Sequence, residues 1–169
     1  MDSWTTAYDV ARWTSFFSAE TSASAGLTGL LFVAISINLL RIVANPALAA
    51  RSLKALVTLS TILLISFLCL VPGQSTRVLG VEIAVLGLAH WIAAVTLQYK
   101  SVHNNPYVGP KARTINMLLT HASALPMIFA ARSLLVFRGG GLYWLVAGTV
   151  LCFLTALMDA WVLLIEIQR

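Results

Sequence analysis

Eight polar side chains lie within or at the ends of long apolar runs, and their chemistry suits the movement of protons or ions. Four are carboxylates that can release a proton, and two are imidazoles that titrate near neutral pH. The eight residues are Glu20, Asn38, Glu82, His90, His121, Arg132, Asp159 and Glu166. Because a charge inside a bilayer is costly unless it is paired or hydrated, we take all eight as candidates for an ion or proton pathway.

Six of these candidates fall into two layers when their positions along the apolar runs are converted to depth at ~1.5 Å per residue. The outer layer, ~5–8 Å from one set of helix ends, contains Glu20, Glu82 and Arg132. The inner layer, ~10–14 Å from the other ends, contains His90, His121 and Asp159. In the outer layer the arginine can pair with either carboxylate as a structural clamp. The inner layer could relay protons, bind a cation or form one buried Asp–His hydrogen bond.

Polar residues on the last apolar run support the inner layer. Cys152, Thr155 and Asp159 recur every three or four residues, and Glu166 follows seven residues later. This spacing places polar side chains on one face of a helix. We therefore expect that face to line a polar cavity.

Membrane helices are the elements that must position these residues. The chain of 169 residues is 59% hydrophobic and only 10% charged, whereas soluble domains carry about 25% charged residues. Five apolar runs have the ~20 residues that a helix needs to cross a bilayer. They lie near residues 15–43, 53–71, 78–98, 114–137 and 142–168. We expect an all-α integral membrane protein: one domain over residues 1–169, a bundle of about five transmembrane helices with short loops.

The basic residues predict the orientation of this bundle. Seven Lys or Arg residues fall on one side of the predicted spans and four on the other. The more basic side carries Arg41, Arg51, Lys54, Lys100, Lys111, Arg113 and Arg169. The positive-inside rule then places the amino terminus outside and the carboxyl terminus in the cytoplasm, as in a multi-pass inner-membrane protein. We read the net charge of +5 as a topology signal, not as a sign of nucleic-acid binding.

Residues 1–14 precede the first span and are expected to lie at the membrane surface. Trp4, Tyr8 and Ala11 would share one side of a helix from Ser3 to Phe17. Acidic residues occupy the positions where a cleaved signal peptide needs positive charge. A frayed tail is the alternative.

The first span carries small residues along one face. They are Ser15, Ser18, Ser22, Ala25, Gly29 and Ser36, and we call this set the small-residue seam. Small residues let helix backbones approach closely in lipid. Glu20 and Asn38 share the opposite face, so we expect this helix to be central, either in the protomer or at the axis of a homo-oligomer. The alternative is a tightly packed helix of a monomeric bundle.

No sequence motif indicates catalysis or a metal site. Cys69 and Cys152 lie at different depths, which disfavours a disulfide. His90 and His121, at similar depth on neighbouring spans, could be axial ligands of a haem b. We expect no other cofactor, no metal site and no enzymatic activity.

Three functions remain open from the sequence. The leading hypothesis is an oligomeric, channel-like ion or proton pathway through the eight polar residues. The first alternative is a non-conducting regulatory or scaffolding partner of another membrane protein. The second alternative is a haem-binding electron carrier that uses the two histidines.

Overall fold

The computed structural model describes residues 6–103 and 109–167, apart from the side chains at positions 102, 103, 162 and 164–167. The described chain is helical and contains no strand. A 3-10 turn, Val10–Trp13, leads into helix α1, Thr14–Ile37, and a short helix α2, Leu39–Ala44, follows. The remaining helices are α3, Pro46–Cys69, α4, Thr76–His103, α5, Pro110–Val136, and α6, Tyr143–Ile167.

Five of these helical segments are long and apolar enough to cross a membrane, which confirms the predicted all-α fold with five long apolar helices. They correspond to α1 with its preceding turn, α3, α4, α5 and α6. Large apolar side chains cover the outside of the bundle: Phe32 is 63% exposed, Leu118 62% and Trp161 65%. An apolar exterior of this extent is typical of a protein whose solvent is lipid.

The helix ends follow local sequence signals. Asn45 caps α3 by accepting hydrogen bonds from the backbone N–H groups of Ala47 and Leu48, and Pro46 occupies the first turn. The predicted first span is interrupted at Asn38, where the backbone leaves helical geometry between α1 and α2. Helix α5 ends at Phe137, which adopts the left-handed conformation.

Helices α3 to α6 form a four-helix bundle. Each contacts the next along the chain, and α6 closes the ring against α3. Ile62, Ile83, Met127 and Leu145 are fully buried in its core. We call the end that carries Arg41, Arg51, Lys54, Lys100, Lys111 and Arg113 the basic end, and the other end the amino-terminal end.

Helix α1 lies outside this ring and packs chiefly against α3. Only 17% of the most apolar 18-residue stretch of this span is buried, compared with 33–56% of the corresponding stretches in the other four candidate spans. The expectation that this helix is central within the protomer is therefore wrong. All six residues of the small-residue seam are exposed. A role at the axis of a homo-oligomer stays a prediction.

The segment before α1 differs from the predicted surface helix. Ala7 and Tyr8 form a turn and a 3-10 helix follows at Val10–Trp13, so no continuous α-helix joins Tyr8 to Ala11; Trp4 lies outside the described residues. The Ala7 carbonyl accepts a 2.8 Å hydrogen bond from the Leu142 backbone N–H, and the Gly140 N–H donates to the Tyr8 hydroxyl at 3.3 Å. The segment is therefore tied across the amino-terminal end of the bundle, against the loop between α5 and α6.

Candidate functional site

A column of buried polar side chains extends through the core of the four-helix bundle. Its members, which we call the polar column, are Glu20, Arg51, Lys54, Thr61, Ser66, His90, Gln98, Ser123, Thr149, Cys152 and Asp159. All except Arg51, which is partly exposed, are buried. Polar groups inside an apolar bundle are costly unless they are bonded to one another, so their shared placement is the main clue to function.

Glu20 forms the first layer of the column, near the amino-terminal end. Although it belongs to the peripheral helix α1, its carboxylate accepts a 2.7 Å hydrogen bond from the Ser66 hydroxyl of α3. The Thr149 hydroxyl of α6 is a second polar group beside this carboxyl. Glu20 is only 6% exposed and therefore joins α1 to the bundle through a buried carboxyl group.

His90 forms the middle layer and is 2% exposed. Its Nδ1 lies 3.5 Å from the Thr61 hydroxyl, and its Nε2 lies 3.8 Å from Cys152 Sγ. Because the Thr61 hydroxyl donates to the Val57 carbonyl, its oxygen is left to accept a hydrogen bond from Nδ1–H. The Cys152 thiol in turn donates to the Ser123 carbonyl at 3.6 Å. The ring of His90 therefore lies between a hydroxyl and a thiol, each of which is also bonded to a backbone carbonyl.

Asp159 forms the third layer, toward the basic end. Its two oxygens bind different cations: Arg51 Nε at 3.3 Å and Lys54 Nζ at 2.9 Å. Lys54 also donates a 2.6 Å hydrogen bond to Gln98 Oε1, while Gln98 Nε2 is buried and has no partner within the described chain. The carboxylate on α6 is thus bound by two cations of α3, and Lys54 connects it to Gln98 of α4 in a region that excludes most solvent.

Cavities adjoin both ends of the column. At the amino-terminal end a cavity of about 490 Å³ is lined by Tyr8, Asp9, Cys69 and Gln74, among others. Cys69 lies one helical turn from Ser66 on the same face of α3, so this cavity borders the Glu20 layer. At the basic end a cavity of about 20 Å³, large enough for one water molecule, lies beside Lys54 and Asp159.

The predicted outer clamp does not form within the described chain. Arg132 is exposed on α5 and makes no ion pair with a described carboxylate. Glu82 is instead hydrogen-bonded to Gln74, which lies in the turn before α4. Of the three residues predicted for the outer layer, the structure brings only Glu20 into the column.

The predicted inner layer is also divided. His121 accepts a 3.0 Å hydrogen bond from the Trp91 indole and lies away from Asp159. Asp159 binds Lys54 and Arg51 in place of a histidine. The rotation of α5 about its axis, which the sequence does not fix, places His121 toward Trp91.

The two remaining pathway candidates lie near the basic end. Asn38 is partly buried at the end of α1, where its side-chain amide donates to the Ala34 carbonyl. This bond satisfies the side-chain amide of Asn38 within its own helix, and Asn38 lies outside the column. The side chain of Glu166 lies outside the described part of the chain.

Arg51, Lys54, Ser66 and Gln98 were missed as site residues by sequence reasoning. The second span was predicted to begin at Leu53, which left Arg51 in a loop and placed Lys54 at the end of the span, where both were counted as topology signals. A signal for the correct start is present: Asn45-Pro46 is a helix cap, and Arg51, Lys54, Thr58 and Thr61 recur every three or four residues.

The arrangement does not favour a haem held by His90 and His121. His90 is directed at Thr61 and Cys152 in the core, whereas His121 is bonded to Trp91, so the two rings do not face a common space. Among the described residues, no group of three or more His, Cys, Asp or Glu side chains could hold a metal ion. Cys69 and Cys152 are both free thiols.

The fold and the site together define the class of protein: a bundle of apolar helices with ionisable side chains buried in its core. The chain matches no protein-family model, no curated protein and no solved structure. Its function must therefore be inferred from the polar column itself.

Proposed function

We propose that this chain is a multi-pass membrane protein whose polar column conducts protons across the bilayer. The observation that carries the proposal is the stacking of Glu20, His90 and Asp159 in one buried column, each bonded to a further polar group. Carboxylates and imidazoles accept and release protons, and chains of such groups inside membrane helices mark proton relays.

Hydroxyl and thiol groups fill the intervals between the ionisable layers. Along α6 the polar positions Thr149, Cys152, Thr155 and Asp159 are separated by a rise of ~4.5–6 Å. Along α3 the steps from Ser66 through Thr61 and Thr58 to Lys54 are ~4.5–7.5 Å. Conduction through this column would require the hydroxyl and thiol groups, or water that enters transiently, to carry the proton across each interval.

The packing of the core favours protons over hydrated metal ions. Ile62, Ile83 and Met127, which surround the column, are fully buried, and the cavity at the basic end has room for about one water molecule. A relay needs only hydrogen bonds that can rearrange, whereas a metal ion needs a hydrated pore or a continuous set of ligands.

The orientation and assembly of the protein belong to the same proposal. The basic end faces the cytoplasm of the cell, the amino terminus lies outside, and the exposed small-residue seam of α1 mediates a homo-oligomer. The cavity beside Asp9 and Cys69 would then open to the outer side. Protons would pass from Glu20 to His90 and on to Asp159, beside the cytoplasmic mouth.

The test is flux into liposomes that contain the purified protein, with H⁺, K⁺, Na⁺ and Cl⁻ gradients applied separately. We expect proton flux alone. Asp159→Asn should reduce this flux by about tenfold or more, which corresponds to an increase of about 1.4 kcal/mol or more in the barrier. Glu82→Gln is the matched control because that carboxyl lies outside the column. Absence of proton flux from folded protein would overturn the proposal.

A second candidate function is supported by the exposed α1. A membrane helix that leaves most of its surface uncovered could dock another membrane protein, making this chain a non-conducting regulatory or scaffolding partner. Purification of the native protein distinguishes the two functions. Recovery of another membrane protein in fixed ratio, together with absent flux, would favour the partner role.

A further inference from the structure

An apolar groove separates α1 from α6 on the half of the bundle toward the basic end. Its α1 wall includes Leu27, Leu31 and Ile35, and its α6 wall includes Ala156, Ala160 and Leu163. Leu59 of α3 also lines it, and the space measures about 170 Å³. Asn38 is the one lining residue with a polar side chain.

The inner half of α1 is less buried than its outer half, although Ile35 is partly buried against the core. The buried residues of α1 end at Leu31, and no residue from position 32 to 41 is buried. Leu30, which also lines the groove, is 71% exposed. An unfilled apolar space forfeits dispersion contacts, so an apolar occupant would support this half of the helix.

The groove has the length of an acyl chain in one leaflet. From Leu27 to Ile37, the last residue of α1, the helical rise is ~15 Å, about half of a ~30 Å hydrocarbon layer. It begins near the middle of α1 and ends at the basic end. Its long axis therefore lies along the direction of an acyl chain, if the bundle spans a membrane as proposed.

The charges at the basic end of the groove favour an anionic headgroup. Arg41 lies between Asn38 and Ile42, both of which line the groove, and it is exposed on α2. The one described acidic side chain at the basic end, Asp159, is buried with Arg51 and Lys54, whereas four cations at this end are exposed: Arg41, Lys100, Lys111 and Arg113. A cationic surface of this kind attracts anionic lipids.

We propose that the groove is a binding site for an anionic phospholipid, with an acyl chain between α1 and α6 and the phosphate at the level of Arg41. The proposal rests on insertion of the bundle into a membrane, but not on proton conduction. The lipid would brace α1, which otherwise reaches the bundle through its outer half and α3.

The test is native mass spectrometry of full-length protein purified in mild detergent, followed by analysis of the lipid that remains bound. We expect a retained phospholipid that is enriched in anionic headgroups relative to the membrane of origin. Ala160→Phe fills the groove from the α6 wall and should reduce retention by about tenfold or more. Ala34→Phe fills it from the α1 wall and should act in the same way, which guards against one variant failing to fold.

Leu154→Phe is the matched control, because Leu154 is 52% exposed on α6 and does not line the groove. It should retain lipid as the native chain does. Arg41→Gln should leave a lipid bound but remove the preference for anionic headgroups. Retention unchanged in both groove variants, or bound lipid with the composition of the bulk membrane, would overturn the proposal. So would cross-linking of Leu30→Cys to a second copy, which would show that protein fills the groove.

Liposome flux is measured separately and keeps this proposal distinct from proton conduction. A protein that retains anionic lipid but conducts no protons would refute the proposed function alone. A protein that conducts protons without retaining lipid would refute the lipid site alone.

Discussion

Polar side chains bond to other helices in the four-helix bundle, whereas on the exposed face of helix α1 they bond to their own helix. In the bundle, Asp159, Lys54 and Gln98 are buried and bonded across helices. On α1, Ser22 and Ser36 are exposed, and their hydroxyls donate to carbonyls four residues earlier in the same helix. The bundle therefore depends on its polar contacts, whereas the exposed face of α1 is satisfied by its own backbone and is free to meet lipid or another chain.

Two attachments keep these regions together at the amino-terminal end. Glu20 accepts a hydrogen bond from Ser66, and the turn before α1 is bonded through Ala7 to Leu142. Toward the basic end, α1 separates from α6 by the apolar groove. Substitutions that act on one region and spare the other test this contrast.

The largest effect is expected from Asp159→Ala in the bundle. The substitution leaves the buried Lys54 and the partly exposed Arg51 without their shared carboxylate, which should cost about 3–5 kcal/mol of stability. The measurement is the midpoint of thermal unfolding in detergent. A midpoint close to that of the native chain would show that the cluster is hydrated and contributes little.

Ser66→Ala should have the next largest effect. It removes the hydroxyl that binds the Glu20 carboxyl, and loss of a hydrogen bond to a buried, potentially charged group costs about 1–3 kcal/mol. Ser22→Ala removes the same atom from the exposed face of α1 and should change stability by less than about 0.5 kcal/mol. Equal shifts of the unfolding midpoint in the two variants would contradict the contrast.

Gly141→Ala should release the segment before α1. Gly141 has a φ of +51°, and a Cβ there would collide with the Ala7 carbonyl oxygen, so we expect a cost of about 1–3 kcal/mol. Limited proteolysis should then cut the segment sooner. Gly29→Ala is the control, because a Cβ at Gly29 meets no atom within 4 Å. Similar cleavage rates in both variants would show that the segment is not held by this contact.

Arg132→Gln should have the smallest effect. The guanidinium is exposed and pairs with no described carboxylate. The free energy of unfolding, followed through the thermal midpoint, should therefore change by less than about 0.5 kcal/mol. A destabilisation of several kcal/mol would instead restore the clamp with Glu20 or Glu82 that the sequence suggested.

Hydropathy was sufficient to predict five apolar helices, because the length of an apolar run decides whether it can cross a bilayer. The periodic spacing of Cys152, Thr155 and Asp159 likewise placed Asp159 on a polar face. Cys152 and Asp159 are buried in the column, so this part of the site could be predicted from one helix alone.

Contacts between helices could not be predicted in the same way. His90 and His121 have similar depths, but only the rotation of α4 and α5 places one in the core and the other against Trp91. The bond between Ala7 and Leu142 joins distant parts of the chain and has no local signal. Arg51 was assigned to a loop and Lys54 to the end of a span because hydropathy alone marks where apolar residues start, whereas the helix itself starts at Pro46.

The most direct test of the polar column compares the two histidines. Both lie on neighbouring helices, and only His90 belongs to the column. We expect His90→Leu to reduce proton flux into liposomes by about tenfold or more, while His121→Leu leaves it unchanged. Full proton flux in His90→Leu protein that folds normally would contradict conduction through the column.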